Sequence, residues 1–422
     1  MGRVYSRVRN ALSLLRHRNF ALLFGGRCVS FLGNAMAPVA IAFAVLHLTD
    51  SASALGIVLM ARMVPNVVFL LAGGVIADRL PRSTVLVGSS LLAGATQGIV
   101  AVLLLSGYAT LWQLIVLEAM NGFASALYYP ADTSVVPQTV PGDRLREANA
   151  ILRFGTNATM ILGAALAGVI IAALNPGWAI AADAATFFVA ALFMGAMSGI
   201  EAVAAGASNV LADLREGWSE FIGHRWLWTI VAQFSIMLVG FFGAFMVLGP
   251  VVAERDFSGA SAWAAIVGGQ SAGLLLGGLW VMRWHPARPL FVATIAVFAN
   301  VLPIGAMALG LPLAVIVAGA ILNGVGMEIF GVYWYTALHE HIAPEALSRV
   351  SSYDALGSLA IAPLGLVAAG PIADAIGVNP TLWIGVVLIV VPTAVVLFVP
   401  EVRGLRARGT EVEAPELVPH TV

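Results

Sequence analysis

The sequence predicts an all-α membrane protein of twelve spanning helices, arranged as two pseudo-symmetric six-helix bundles. Three observations lead there: a composition too apolar for water, breaks that are alternately rich and poor in arginine, and landmarks that recur at one offset. Of the 422 residues 60% are hydrophobic and 10% charged, and the mean hydropathy is +0.94. A soluble domain carries about a quarter charged residues, so most of this surface must face lipid. At roughly 20 apolar residues per spanning helix, the chain has room for about a dozen.

Apolar stretches fall near 20–47, 53–77, 84–106, 109–131, 148–173 and 177–199, then 227–252, 261–282, 289–310, 312–338, 352–375 and 380–399. The first follows an arginine-rich head and so mimics a secretory signal. It runs too long for one, and eleven more runs follow, which makes it a retained span. Arginines set the orientation. Residues 1–18 hold five, and alternate later breaks hold Arg79, Arg82, Arg144, Arg146, Arg215, Arg225, Arg283, Arg288, Arg349, Arg403, Arg406 and Arg408, seventeen on one side. The opposite breaks hold only Arg255. Basic residues concentrate in cytoplasmic loops, so both termini are expected inside.

Composition also excludes functions. All 21 basic residues are arginine and none is lysine, which removes the lysine of a Walker-type phosphate loop and with it that mode of ATP binding. A net charge of −1 gives no reason to expect a nucleic-acid partner. Cys28, the single cysteine, cannot form an intramolecular disulfide. The seven histidines are scattered without metal-ligand spacing, and no Ser-His-Asp or Cys-His set is evident. No enzyme activity, metal or cofactor is expected.

The longest central break divides the chain into a first bundle (1–199), a cytoplasmic linker (200–226), a second bundle (227–400) and a polar tail (401–422) that is expected to be disordered. Within the linker, Leu211, Leu214, Trp218, Phe221 and Ile222 share one helical stripe. That stripe suits a helix lying on the membrane surface, or equally a plain linker helix. The halves repeat: Gly73-Gly74 before Arg79 recurs as Gly277-Gly278 before Arg283, an offset of 204. Asn121-Gly122 recurs as Asn323-Gly324 (202), and Pro141 before Arg146 as Pro344 before Arg349 (203). Three kinds of landmark at nearly one offset indicate duplication. Two related halves of six spans describe an alternating-access transporter with its substrate bound near the midplane.

The break after the second span carries a family resemblance. Gly74-Val75-Ile76-Ala77-Asp78-Arg79-Leu80-Pro81-Arg82 resembles the signature loop of the major facilitator superfamily, with Pro81 where a glycine is common. The resemblance covers essentially the whole chain. Residues 19–38 and the turn Gly370-Pro371-Ile372-Ala373-Asp374 are similar to the drug-efflux branch that contains macrolide and siderophore exporters. It implies a cytoplasmic gate built from Gly74, Asp78, Arg79 and Arg82, a latch between the halves that breaks and reforms during transport. The two arginines alone are equally accounted for by positive-inside anchoring, whereas Asp78 is not. The second copy has Met282 in place of the acid.

Ionisable residues within spans are costly and point to function. Arg62 and Glu118 lie at matching depths of roughly 14 Å by helix rise, where opposite charges relieve each other's desolvation. Arg27 is placed to share Glu118, and Glu328 is the one acid well inside the tenth span. With Asn34 these form the candidate substrate and proton cavity; structural pairing within one half is the alternative. Asp132, Arg153 and Asp354 sit near span ends and read as gate or cap residues. Tyr128, Tyr129, Tyr333, Trp334 and Tyr335 read as cavity aromatics or as membrane-belt anchors.

The resemblance also exposes departures. Glu118 stands in the fourth-span motif that often carries an arginine, and Asn34 follows Gly33 where relatives often have Asp. Ala164 follows Gly163 where drug antiporters have Gly-Pro. The expected function is proton-coupled export of amphipathic organic compounds by a monomer in a bacterial inner membrane. The partners are then a small-molecule substrate, protons and the lipid bilayer, without ATP or nucleic acid. Uptake or uncoupled facilitation of a polar metabolite is the alternative, and a membrane enzyme or signalling protein on the same fold is a third reading.

Overall fold

The computed structural model describes residues 13–199, 210–284 and 286–405. The first bundle consists of α1 (Arg18–Thr49), α2 (Ala52–Arg79), α3 (Arg82–Ser106), α4 (Leu111–Val135), α5 (Leu145–Ala173) and α6 (Pro176–Gly195). A central helix, α7 (Val210–Gly223), leads to α8 (Arg225–Asp256), α9 (Ala260–Val281), α10 (Pro289–Ala308) and α11 (Leu313–His341). The eleventh span is two pieces, α12 (Pro344–Leu359) and α13 (Ala362–Ile376), and α14 (Val378–Val396) is the last. Pro363 in the first turn of α13 explains the interruption, because its ring prevents the preceding turn from continuing. Inside α8, residues 242–247 widen into a π turn.

Among the described residues, eleven helices are long and apolar enough to cross a membrane. The twelfth span is α4, whose hydropathy is lowered by Gln113, Glu118 and Asn121. Glu118 and Asn121 are buried, so α4 turns its polar face to neighbouring helices and not to lipid. Its start is fixed by a capping box, in which Gln113 accepts the Thr110 amide and the Thr110 side chain answers the third amide.

The two halves use the same packing. In the first, α2 lies along α4; in the second, α9 lies along α11. The repeated Asn-Gly pair makes both crossings. Gly122 meets the Arg62 carbonyl and Gly324 meets the Gln270 carbonyl, each so closely that a Cβ would overlap it. The preceding asparagines fasten the third helix of each half. Asn121 donates to Thr96 Oγ1 at 3.3 Å, and Asn323 donates to Asn300 Oδ1 at 2.9 Å.

The halves meet along two seams, α5 against α9 and α2 against α13. Gly168 packs on Ala264, Gly56 on Leu366 and Gly370 on Ser53. All of these lie at the end of the bundle opposite the arginine-rich breaks. An apolar cleft of about 630 Å³ follows the first seam, lined by Ile161, Val169, Ala172 and Ala264 among others, with no ionisable residue.

Helix α7 docks on α12. Gly217 abuts Arg349, and Trp218 and Phe221 pack with Tyr353. Phe221 is buried while Trp218 and Ile222 stay half exposed, so one helix both covers protein and presents an apolar edge. The side chains of Leu211 and Leu214, and the tail from residue 406, lie outside the described residues.

Candidate functional site

Four charged residues of the first bundle form two buried pairs along α4. Glu118 and Asp132 are 14 residues apart, close to four turns at 3.6 residues per turn. Each meets an arginine from a different helix. Arg62 of α2 stands 3.5 Å from Glu118 Oε2 and donates to Asn34 Oδ1 of α1 at 3.3 Å. Asn34 in turn donates to Ser30 Oγ at 3.4 Å. Three helices thus converge on one guanidinium. The Glu118 side chain is 2% exposed, whereas Arg62 is 22% exposed. The fully buried Gln97 of α3 lies beside Glu118.

The second cluster corrects an expectation. Arg27 does not share Glu118; it forks onto Asp132, its Nε donating to Oδ1 at 3.1 Å and to Oδ2 at 2.9 Å, with Nη2 also on Oδ2. Tyr128 donates to Asp132 Oδ1 at 3.5 Å. Asp132 is therefore half of a buried ion pair between α1 and α4. Helix rise gives depth but not azimuth, and a bidentate carboxylate within reach of the guanidinium plane wins over a more distant acid.

One acid in the same region was not singled out from the sequence. Asp183 of α6 is fully buried, and neither of its carboxylate oxygens has a hydrogen-bond partner. Arg62 and Glu118 are the charges that face it. A signal was present: Asp183 lies seven residues past the start of α6, as Glu118 lies seven past the start of α4. Equal depth alone would have paired them.

The corresponding place in the second half is neutral. Gln270 stands at the place of Arg62 and donates to Asn323 Oδ1 at 2.6 Å, and Ala320 stands at the place of Glu118 by the 202-residue offset. Glu328 packs its side chain over Gly277 and Gly278 and faces Arg153 of α5 across the space between the halves. Asp354 accepts the Trp334 indole N–H at 2.9 Å. The aromatic set divides. Tyr333 and Trp334 are core residues, Tyr333 donating to the Trp284 carbonyl at 2.6 Å, while Tyr129 and Tyr335 are exposed.

Of the gate residues, Gly74, Asp78 and Arg79 have side chains outside the described residues. Arg82 is buried and donates to the Ser134 carbonyl at 2.6 Å, in the last turn of α4. A cation there offsets the negative end of that helix, within its own half. At the other end of the bundle polar contacts do cross between halves. Ser53 donates to Asp374 Oδ2 at 3.0 Å, and His47 stands 3.4 Å from Glu254. Replacing Asp374 by Ala should loosen this closure without unfolding the protein. Cysteine pairs placed across the α2–α13 seam should then crosslink several-fold more slowly; an unchanged rate would show that apolar packing alone holds the seam.

Comparisons with known proteins agree with this architecture. The Major Facilitator Superfamily profile matches residues 23–365. The chain is 24% identical over 400 residues to macrolide efflux protein A of Streptococcus pyogenes, covering 92% of this chain and 97% of that one. It is 27% identical over 393 residues to the multidrug efflux pump Tap of Mycolicibacterium fortuitum, covering 88% and 93%. Among solved structures, the nucleoside transporter NupG superposes with a TM-score of 0.67 at 14% identity, over 89% of this chain and 98% of that one. The twelve spans, the duplicated crossings and a profile match across both halves lead to one conclusion: this chain is a transporter that belongs to the major facilitator superfamily.

Proposed function

We propose that the protein exports amphipathic organic compounds across a bacterial inner membrane in exchange for protons, by alternating access. The observation that carries this reading is the buried set Arg62, Glu118 and Asp183 in the first bundle, set against neutral amides in the second. One guanidinium serves two carboxylates there. A single proton gained or lost changes the charge of the site, and a ligand that prefers one charge state shifts the other's equilibrium. The names of the efflux relatives support the direction and the substrate class.

Seventeen arginines in one alternate set of sequence breaks support cytoplasmic termini. In that orientation the halves touch at the outer end, and the space between them opens inward. Apolar helices around a partly exposed Arg62 suit a molecule with a large apolar body and one polar group. The signature loop fits a latch that closes the inner end in the opposite state. Replacing Asp78 by Asn should leave the protein in the membrane but slow transport by at least tenfold. Cysteine crosslinking at the inner ends of α2 and α12 should report the shifted balance; normal transport with unchanged crosslinking would reduce the loop to an anchor.

The reading is tested with purified protein in liposomes loaded at one pH and diluted into another. A radiolabelled macrolide should move uphill when the pH difference is imposed and stop when an ionophore collapses it. Uphill movement indifferent to pH would overturn proton exchange.

A further inference from the structure

Asp183 lies about 10 Å into α6 by helix rise, with no exposed surface. It presses against α1 at Gly33, where an added Cβ would overlap both Asp183 Oδ1 and Thr186 Oγ1. Gly33 is thus the space that the carboxyl group occupies. The neighbouring hydroxyl is already committed, because Thr186 donates to the Asp183 main-chain carbonyl at 2.6 Å. Arg62 from α2 and Glu118 from α4 face the carboxyl group. Among the described residues, α1, α3 and α5 bring no charged side chain against it.

Charge counting then decides the protonation. Two carboxylates share one guanidinium, and Glu118 has it at 3.5 Å. Asp183 has no donor on either oxygen. A buried ionised carboxylate without a donor or a paired charge is so costly that the group takes up a proton instead. A metal ion does not fit: a hard cation asks for six or more oxygens, and here a guanidinium faces the same space. Among the described residues no cluster of acids, histidines or cysteines offers a metal cage.

We propose that Asp183 is a proton-binding site, holding a proton against Gly33 while Arg62 pairs with Glu118. This deepens the exchange reading above and rests on it for its role in transport. Release breaks the carboxyl O–H bond and hands the proton to water when α1 and α6 part. The carboxylate left behind draws on Arg62, so one guanidinium bridges two acids. Uptake is the reverse. The proton site and the partly exposed cation are then coupled through a single side chain, with Asn34 steadying its other nitrogen.

Infrared spectroscopy of the protein in lipid vesicles at neutral pH reads the proton directly. The wild-type spectrum minus that of Asp183→Asn should contain one carbonyl stretch of a protonated carboxyl group, shifted in heavy water. Because Asn matches Asp in shape, the thermal transition should change little. Should that variant fail to fold, Asp183→Ser takes its place in the subtraction, and carboxyl-carbon-13 label in wild type identifies the band: it should move with aspartate label and stay with glutamate label. A difference spectrum without the band, or a band that follows glutamate, overturns the assignment. A wild type that carries the aspartate band yet moves no protons with its macrolide keeps the site and removes the exchange reading.

Discussion

Glu118→Gln should bind substrate and exchange it passively, yet lose the ability to concentrate it. In wild type a pH difference of one unit supplies about 1.4 kcal/mol per proton, which sustains roughly tenfold accumulation for one-for-one exchange. Gln keeps the shape and a hydrogen bond to Arg62 but removes the charge that holds the guanidinium. Arg62 is then free to sit permanently on Asp183, and the site no longer changes charge between states. Accumulation should fall from about tenfold to parity, while counterflow of labelled against unlabelled macrolide survives. Wild-type accumulation in this variant would make Glu118 structural. Glu328, which faces Arg153 from the second half, would be the next residue to test.

Arg62→Ala should have the largest effect on folding. It strips the counter-charge from Glu118 and from the region of Asp183 together, both fully enclosed. Removing one partner of a buried pair costs about 3–5 kcal/mol. Part of this is returned if both acids are forced to stay protonated. The variant should show a markedly lower thermal transition in detergent, and adding Glu118→Gln to it should recover most of the loss. An Arg62→Ala protein as stable as wild type would mean that the pair contributes nothing to holding α2 on α4. A double variant no better than the single one would locate the damage in lost packing of the arginine stem.

How much of this was legible beforehand differs by residue. The spans followed from hydropathy, and every helix lies within a few residues of its expected place except at the eleventh, where the helix divides beside Pro363. The Asn-Gly repeat was legible as duplication, but its work was not. Only the packed helices reveal that each asparagine holds a neighbour while each glycine admits a backbone. The pairing of Arg62 with Glu118 followed from matched depth. The same reasoning misplaced Arg27, since depth along a helix leaves open which way a side chain points. Asp183 escaped for another reason. Its depth in the span was readable, but its lack of any partner was not, because the neighbour it presses on, Gly33, belongs to a helix 150 residues away.

Placing the Arg62, Glu118 and Asp183 set in one half has a mechanical consequence under the proposed exchange. The first bundle would change its electrostatic state there when a proton moves, while the matching place in the second half holds the Gln270–Asn323 amide pair, which is indifferent to pH. Rocking of one half against the other around a central site then needs a charge switch on one side alone. The seams at the end opposite the arginine-rich breaks, closed by Ser53 with Asp374 and by apolar packing of α5 on α9, are what such a switch has to open.

The most direct test of proton exchange is its reciprocal: driving protons with substrate. Liposomes containing the purified protein and a trapped pH dye, at equal pH on both sides, are given a macrolide gradient. Exchange requires that macrolide flowing inward carry protons outward, so the lumen should turn alkaline, and the signal should vanish in Glu118→Gln. Because coupling between two ligands is mutual, a wild type in which macrolide flows down its gradient while the lumen pH stays constant would contradict the account.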